Sequence, residues 1–211
     1  MQRYCGATAL ENGLTIKSRH VSHPHNRLAV EALASELRTA GEGRIEVTFH
    51  KFTHRGRELF NVEGLLRGSE DERVLVTAHL DSTAANSPGF DEAIDAAPGA
   101  DDDASGIAAV VAIARSIAQA AKARTPRRSV AFVLFNAEEE GLVGSKAYAR
   151  MVRASGVPVA GIFQMDMIGY NKNVPRSWEL HCASALSPTA EARSSPLCAL
   201  VGDLARKVSP Q

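Results

Sequence analysis

The sequence predicts an α/β fold, a mixed, mostly parallel sheet sandwiched between helices, and three observations carry that expectation. Residues 129–135 (SVAFVLF) and 159–167 (VAGIFQMDM) are continuous apolar runs of the kind buried on both faces of a parallel sheet, with a helical stretch, 143–155, between them. Strand, helix, strand is a crossover unit. Residues 105–121 (SGIAAVVAIARSIAQAA) are Ala-rich and apolar almost all round up to Arg115, the composition of a helix buried against a sheet. Upstream, three alternating or apolar runs separated by Gly- or charge-rich turns read as further strands.

Taken in order, residues 26–40 place Val30, Leu33, Ala34 and Leu37 on one face of an amphipathic helix that Gly41 can end. The segment before it, HVSHPH with His20, His23 and His25, reads as a flexible polar stretch rather than a metal site. Residues 44–52, 60–66 and 73–79 are the three strands, the first two forming a hairpin that feeds the third. Ser82 to Ala100 holds two prolines and two glycines without periodicity, and a loop that long inside a compact domain is read as functional. Asp103 or Ser105 is placed to cap the Ala-rich helix, which a basic turn, KARTPRR, ends. Residues 177–183 (SWELHCA) are expected to form another strand, with Cys182 buried in it, and the region after Pro188 a partial helix through Leu197–Lys207.

At 211 residues the chain is long enough for one full core and is read as a single domain, 1–211. Lys and Arg number 24 and balance 24 Asp and Glu, so the clustered positive charge that nucleic-acid or anionic-membrane binding needs is not expected. The longest apolar run, Gly106 to Ala114, falls far short of the ~20 residues that span a bilayer. The first twenty residues lack the apolar core and cleavage site of a signal peptide, so export cannot be read from them. Cys5, Cys182 and Cys198 are odd in number without CxxC spacing and are expected to be ordinary thiols.

Three apolar strands run into acids or a histidine. RVLVTA leads to His79 and Asp81, SVAFVLFNA to Glu138, Glu139 and Glu140, and AGIFQM to Asp166, while the long loop delivers Asp101, Asp102 and Asp103 to the start of the Ala-rich helix. In open α/β sheets ligands bind outside the carboxyl ends of the strands, so these groups can converge on one crevice. Each motif alone has a bland reading as a surface turn or a helix start, but together they describe a histidine among several carboxylates. Such a set repels itself without a cation and suits a divalent transition metal such as zinc. On an extended strand His79 and Asp81 share a face, which lets the carboxylate accept the second imidazole N–H. Glu138 and Glu139 are expected to point to opposite sides of a strand end, one to metal and one to water or substrate. A calcium loop starting at Asp101 is excluded because its twelfth position is Ala112.

With AHLDS (78–82), APGADDDASGIAA (97–109), NAEEEGLVGS (136–145) and FQMDMIGY (163–170) in this order, the chain resembles the co-catalytic zinc aminopeptidase family. That family includes secreted bacterial leucyl aminopeptidases and, more distantly, glutamate carboxypeptidase and glutaminyl cyclase. The resemblance implies that His79 and Asp166 hold one Zn2+, that Asp102 bridges to a second, and that Glu139 binds the second. Glu138 becomes the general base and Asp81 the residue that orients His79. Co2+ or Mn2+ would substitute. The implied reaction is removal of one residue from peptides with a free N-terminus, by a hydroxide bridging two metals ~3.5–4 Å apart.

The family takes a further histidine for its second zinc from a segment well beyond the Asp166 strand. In this sequence the last histidine is His181, which lacks the expected flanking pattern and is read as a strand residue. The sequence therefore reads as a domain lacking the family's C-terminal segment and last strands. Two functions remain open on this reading: an aminopeptidase domain, or a catalytically silent metal-binding or interaction module whose open sheet edge recruits a partner.

Overall fold

The computed structural model describes residues 1–172, 178–183 and 187–208. They divide into two compact units, Met1–Gly169 and Tyr170–Gln211. The first unit contains α1 (His25–Gly41), β1 (Ile45–His54), β2 (Arg57–Leu66), β3 (Glu70–His79), α2 (Ala104–Ala120), β4 (Arg128–Phe135), α3 (Val143–Ser155) and β5 (Val159–Gln164). The sheet order is β1-β2-β4-β3-β5. β1 and β2 form the expected hairpin, and β2 pairs antiparallel with β4, whereas β4, β3 and β5 are joined by parallel ladders. Four strands thus share one direction and β2 opposes them, so the sheet is mixed as the sequence indicates. The hairpin does not feed β3 directly, because β4 comes between them.

Period-two alternation in the strands sorts the core onto two faces. Val130, Phe132 and Leu134 of β4 join Val62, Val76 and Ala78 under α1 and α2, where Val30, Leu33, Leu37, Ile107, Val110 and Ala114 are buried. Ala131 and Val133 face the other way and pack with Leu65, Leu75 and Tyr148 of α3. From Val130 to Phe135, β4 is apolar because both of its faces are covered. α2 carries the chain from β3 to β4 on one face, and α3 carries it from β4 to β5 on the other. Successive right-handed crossovers running in opposite directions leave helices on opposite faces and open a crevice at β3.

Between β3 and α2, the loop is tied down rather than free. Ser82 Oγ donates to Ala97 O at 2.7 Å, and Ser18 bridges Ala97. The histidine segment is equally ordered, which corrects the flexible reading: His20 and His23 are buried. Their Nδ1 atoms accept the backbone N–H groups of Ser22 and His25, and His25 Nδ1 accepts that of Lys17. Local side-chain to backbone bonds of this kind shape the segment into turns, a pattern that polarity alone does not reveal.

In the second unit, α4 (Pro188–Val208) covers the region after Pro188 where the sequence suggests a helix, and it runs through Pro196. Two expectations are corrected here. Trp178–Ala183 forms no strand, and Ser177 of that stretch lies outside the described residues. His181 is exposed and faces Glu179 at 3.1 Å. Cys182 and Cys198 form a disulfide, with Cα atoms 6.0 Å apart, and Cys182 is half-buried rather than buried, leaving Cys5 as the free thiol. Sequence spacing cannot anticipate this bridge, since α4 has to bring Cys198 within reach.

Candidate metal centre

Each ligand-bearing segment is fixed by the strand or helix end beside it. His79 is the last residue of β3, the strand flanked on both sides by parallel neighbours, and its side chain is fully buried. Its Nε2 lies 2.8 Å from Asp102 Oδ1 and 4.0 Å from Asp166 Oδ1. One donor atom from each of these three residues lies within 4.8 Å of the other two. The structure therefore brings together three of the four residues expected to bind metal. On its other side, His79 Nδ1 has no hydrogen bond and faces Asp81 Oδ1 at an ion-pair distance of 3.5 Å. With Nδ1 carrying a proton toward Asp81, loss of the second proton leaves the Nε2 lone pair on the side of the two aspartates.

Asp81 does more than the sequence suggests. Its two oxygens accept the amides of Glu138 and Glu139 at 3.0 and 3.2 Å. It thereby ties the end of β3 to the segment following β4. That segment is not an extended strand end, as expected, but a turn: the amides of Gly141 and Leu142 both donate to Glu138 O at 2.8 Å. Ala137, buried just before it, has φ 58°, a left-handed conformation that costs a non-glycine residue about 1–2 kcal/mol. Strain held by surrounding structure at such a point is characteristic of functional sites. Glu140 leaves the cluster: its carboxylate meets Arg55 at 2.8 Å, His54 at 3.2 Å and His20 at 3.7 Å.

Asp103 is the cap of α2 and not a ligand. Fully buried, it accepts the Gly106 amide at 2.8 Å and, with its other oxygen, the His79 amide at 3.1 Å. It locks the helix start to the end of β3 and leaves Asp102, one residue earlier, facing the imidazole. Asp101 Oδ1 accepts the Gly169 amide, drawing in the segment after Asp166.

Proton affinities in the cluster are those of anions crowded together. Burial, then repulsion from Asp102, Asp81 and Glu138, pushes Glu139 up to about 7. Burial raises Asp103 to about 7 against the opposing pull of His79, and Glu138 and Asp166 are raised for the same first reason. Burial disfavours a charged His79, but Asp81, Asp103 and Glu138 outweigh it and bring the imidazole up to about 10. The protons stand in for missing positive charge, which is what a divalent cation would supply. The donor set, one histidine nitrogen and two carboxylates, fits zinc. Glu139 belongs to no group of three or more such donors among the described residues.

A second cluster, His20 with Glu92 and Glu140, lies within comparable distances. Because His20 Nδ1 accepts the Ser22 amide at 3.2 Å, the neutral ring carries its proton on Nε2, facing both glutamates at 3.7 Å. It is a donor there and not a metal ligand. A groove of about 800 Å³ opens from Glu138 and Asp166 between α3 and β5, past Phe135, Leu142, Val152 and Ile162, so these two carboxylates are reachable from solvent.

Fold and site together define an α/β protein with a histidine–carboxylate cluster at the carboxyl edge of its parallel strands. The chain belongs to peptidase family M28, whose profile matches residues 61–209. It is similar to leucine aminopeptidase 1 of Uncinocarpus reesii, 30% identical over 160 residues that cover 75% of this chain and 39% of the relative. It is also similar to a probable zinc metalloprotease of Pyricularia oryzae, 35% identical over 150 residues, 65% of this chain and 28% of the relative. Among solved structures, the Legionella pneumophila LapA aminopeptidase shares the fold with TM-score 0.60 at 22% identity, over 74% of this chain and 40% of that one. Fimbriiglobus ruber glutaminyl cyclase does so with TM-score 0.60 at 19% identity, over 78% and 58%. The chain spans less than half the length of the curated relatives it matches.

Proposed function

We propose that this chain carries the catalytic core of a zinc-dependent aminopeptidase, hydrolysing the N-terminal peptide bond of peptides with a free N-terminus. The observation that supports it is the meeting of His79, Asp102 and Asp166 at one point, with Glu138 and Asp166 both lining the groove. The relatives' names, leucine aminopeptidase and zinc metalloprotease, agree with that reaction and that metal. In this reading His79, Asp102 and Asp166 would hold one Zn2+, and Asp102 with Glu139 would hold a second; Co2+ or Mn2+ would serve in place of zinc. When bound, the cations polarise the scissile carbonyl and lower the pKa of water toward neutrality.

Glu138 is the general base. Its carboxylate takes a proton from the attacking water, the oxygen joins the carbonyl carbon, the C–N bond breaks, and the proton passes from Glu138 to the leaving amine. Burial and the neighbouring carboxylates raise its proton affinity, as suits a group that must first accept and then release a proton. Asp81 holds the Glu138–Glu139 turn in register with His79.

The test is to equilibrate the purified chain with Zn2+, count bound metal by atomic emission and assay a leucyl anilide. Two zincs per chain with turnover is the expected result. Bound zinc without turnover would sink the aminopeptidase reading and leave a metal-binding module of the same fold, and no bound zinc would sink both.

A further inference from the structure

Among the described residues the largest fully buried side chain is a charged one, Arg19, and nothing in the proposed chemistry uses it. Its guanidinium has five N–H donors, and all five meet backbone carbonyls. Nε donates to Leu80 O at 2.8 Å, one terminal nitrogen to Tyr4 O at 2.7 Å and Pro98 O at 2.8 Å, the other to Gly99 O at 3.0 Å and Asp102 O at 3.4 Å. These carbonyls belong to three separate parts of the chain: the N-terminal segment, the residue after β3, and the last turn of the loop that carries Asp102.

Residue 19 is itself immobilised from both sides. Its amide donates to Ser82 Oγ at 3.2 Å, and its carbonyl accepts Asn26 Nδ2 of α1 at 2.6 Å. Asn26 in turn exchanges two side-chain hydrogen bonds with Asn136, directly after β4. The loop backbone lies against the guanidinium with no room to spare. Gly99 has φ 46°, and a Cβ there would stand 2.8 Å from an Arg19 terminal nitrogen and 2.2 Å from Asp102 O.

We infer that Arg19 is a positioning residue: its guanidinium clamps the Pro98–Asp102 backbone to the end of β3, holds the Asp102 carboxylate at His79 Nε2, and so sets the affinity of that pair for a divalent cation. The inference rests on the cation-site reading of His79, Asp102 and Asp166. A planar fork is required because five carbonyls in different directions are bound at once; lysine has three donors at a single point. The charge is placed behind the anionic cluster without an ion pair to any of its carboxylates, so it eases their mutual repulsion while leaving their oxygens free for a metal.

Amide hydrogen exchange on the metal-free full chain, combined with Zn2+ titration calorimetry, tests this on Arg19→Lys and Gly99→Ala. The second variant keeps the guanidinium and forces the loop off it, so the test survives if Arg19→Lys does not fold. In both variants the amides of Ala104, which donates to Gly99 O, and of Gly106 and His79, which donate to Asp103, are expected to exchange at least about tenfold faster, with the β1–β2 ladder unchanged. Zinc affinity is expected to fall about 10- to 100-fold, the range for residues that support metal ligands. Wild-type affinity retained in a folded variant, or exchange accelerated equally through the sheet, overturns the clamp. A wild-type chain that takes up no Zn2+ overturns the cation-site reading and the inference with it, and the two failures are distinguishable because exchange is read without metal.

Discussion

Glu138 and Glu139 are adjacent, and both hang by their amides from Asp81, yet their proposed roles differ, base against ligand. Replacing Glu138 with Ala should lower turnover about 10²- to 10⁴-fold, the usual contribution of a general base, while zinc content measured by atomic emission stays at the wild-type level. An equal loss of zinc would mean that the two roles are exchanged. Sequence spacing already pointed to a histidine and several carboxylates at one sheet edge, because apolar strands ending in acids are visible without tertiary structure. It could not separate Glu140, which faces Arg55, His54 and His20, or Asp103, which caps α2, from the neighbours they resemble chemically. Arg19 left no signal at all, since burial of a lone arginine depends on carbonyls supplied by segments about sixty and eighty residues away in the sequence.

At the level of elements, the start of α2 and the end of β3 form one unit through Asp103. Asp103→Ala removes a cap worth about 0.5–2 kcal/mol and also leaves the buried His79 amide without a partner, at about 1–3 kcal/mol. Urea unfolding should show a loss within the sum of these ranges, and Asp103→Asn, which keeps an acceptor, a smaller one. α3 is fixed just as closely: a Cβ on Gly144 would stand 2.1 Å from Asn136 O and 2.4 Å from Asn61 Oδ1. Gly144→Ala must therefore push α3 from the sheet, costing about 1–3 kcal/mol in the same measurement. The helices and strands of the first unit were legible from periodicity because their apolar faces are matched to a two-sided core. In the second unit α4 was legible only as a partial helix and the Cys182–Cys198 bridge not at all, since no amphipathic face is buried there. The bridge spans 16 residues of sequence, so reduction should destabilise the Tyr170–Gln211 unit by about 3 kcal/mol, seen as faster α4 amide exchange with the β3–β4 ladder unaffected.

For the molecule as a whole, the crowded acids couple stability to pH and, on the proposed reading, to metal. Asp103 and Glu139, raised to about 7 from ordinary values of 3.8 and 4.5, keep protons in the folded chain that the unfolded chain releases, so stability is lost as pH rises between those limits. His79, raised to about 10 from 6.5, adds stability that is present below 6.5 and lost as pH rises through 10. The melting temperature of the metal-free protein should therefore decline from about pH 4 to pH 10, and the rise in melting temperature on adding Zn2+ should grow with pH as the ligands shed their protons. A metal-free melting temperature that climbs over this range would show that the cluster is not held together by protons. By itself the sequence determined the α/β layering, the strands that end at the site, and the kinds of side chain gathered there, because each follows from local periodicity and from residue chemistry at strand ends. Only the tertiary structure decided which carboxylates face His79, which ones serve the scaffold, and which buried cation holds the loop, because those assignments depend on contacts between segments far apart in the chain.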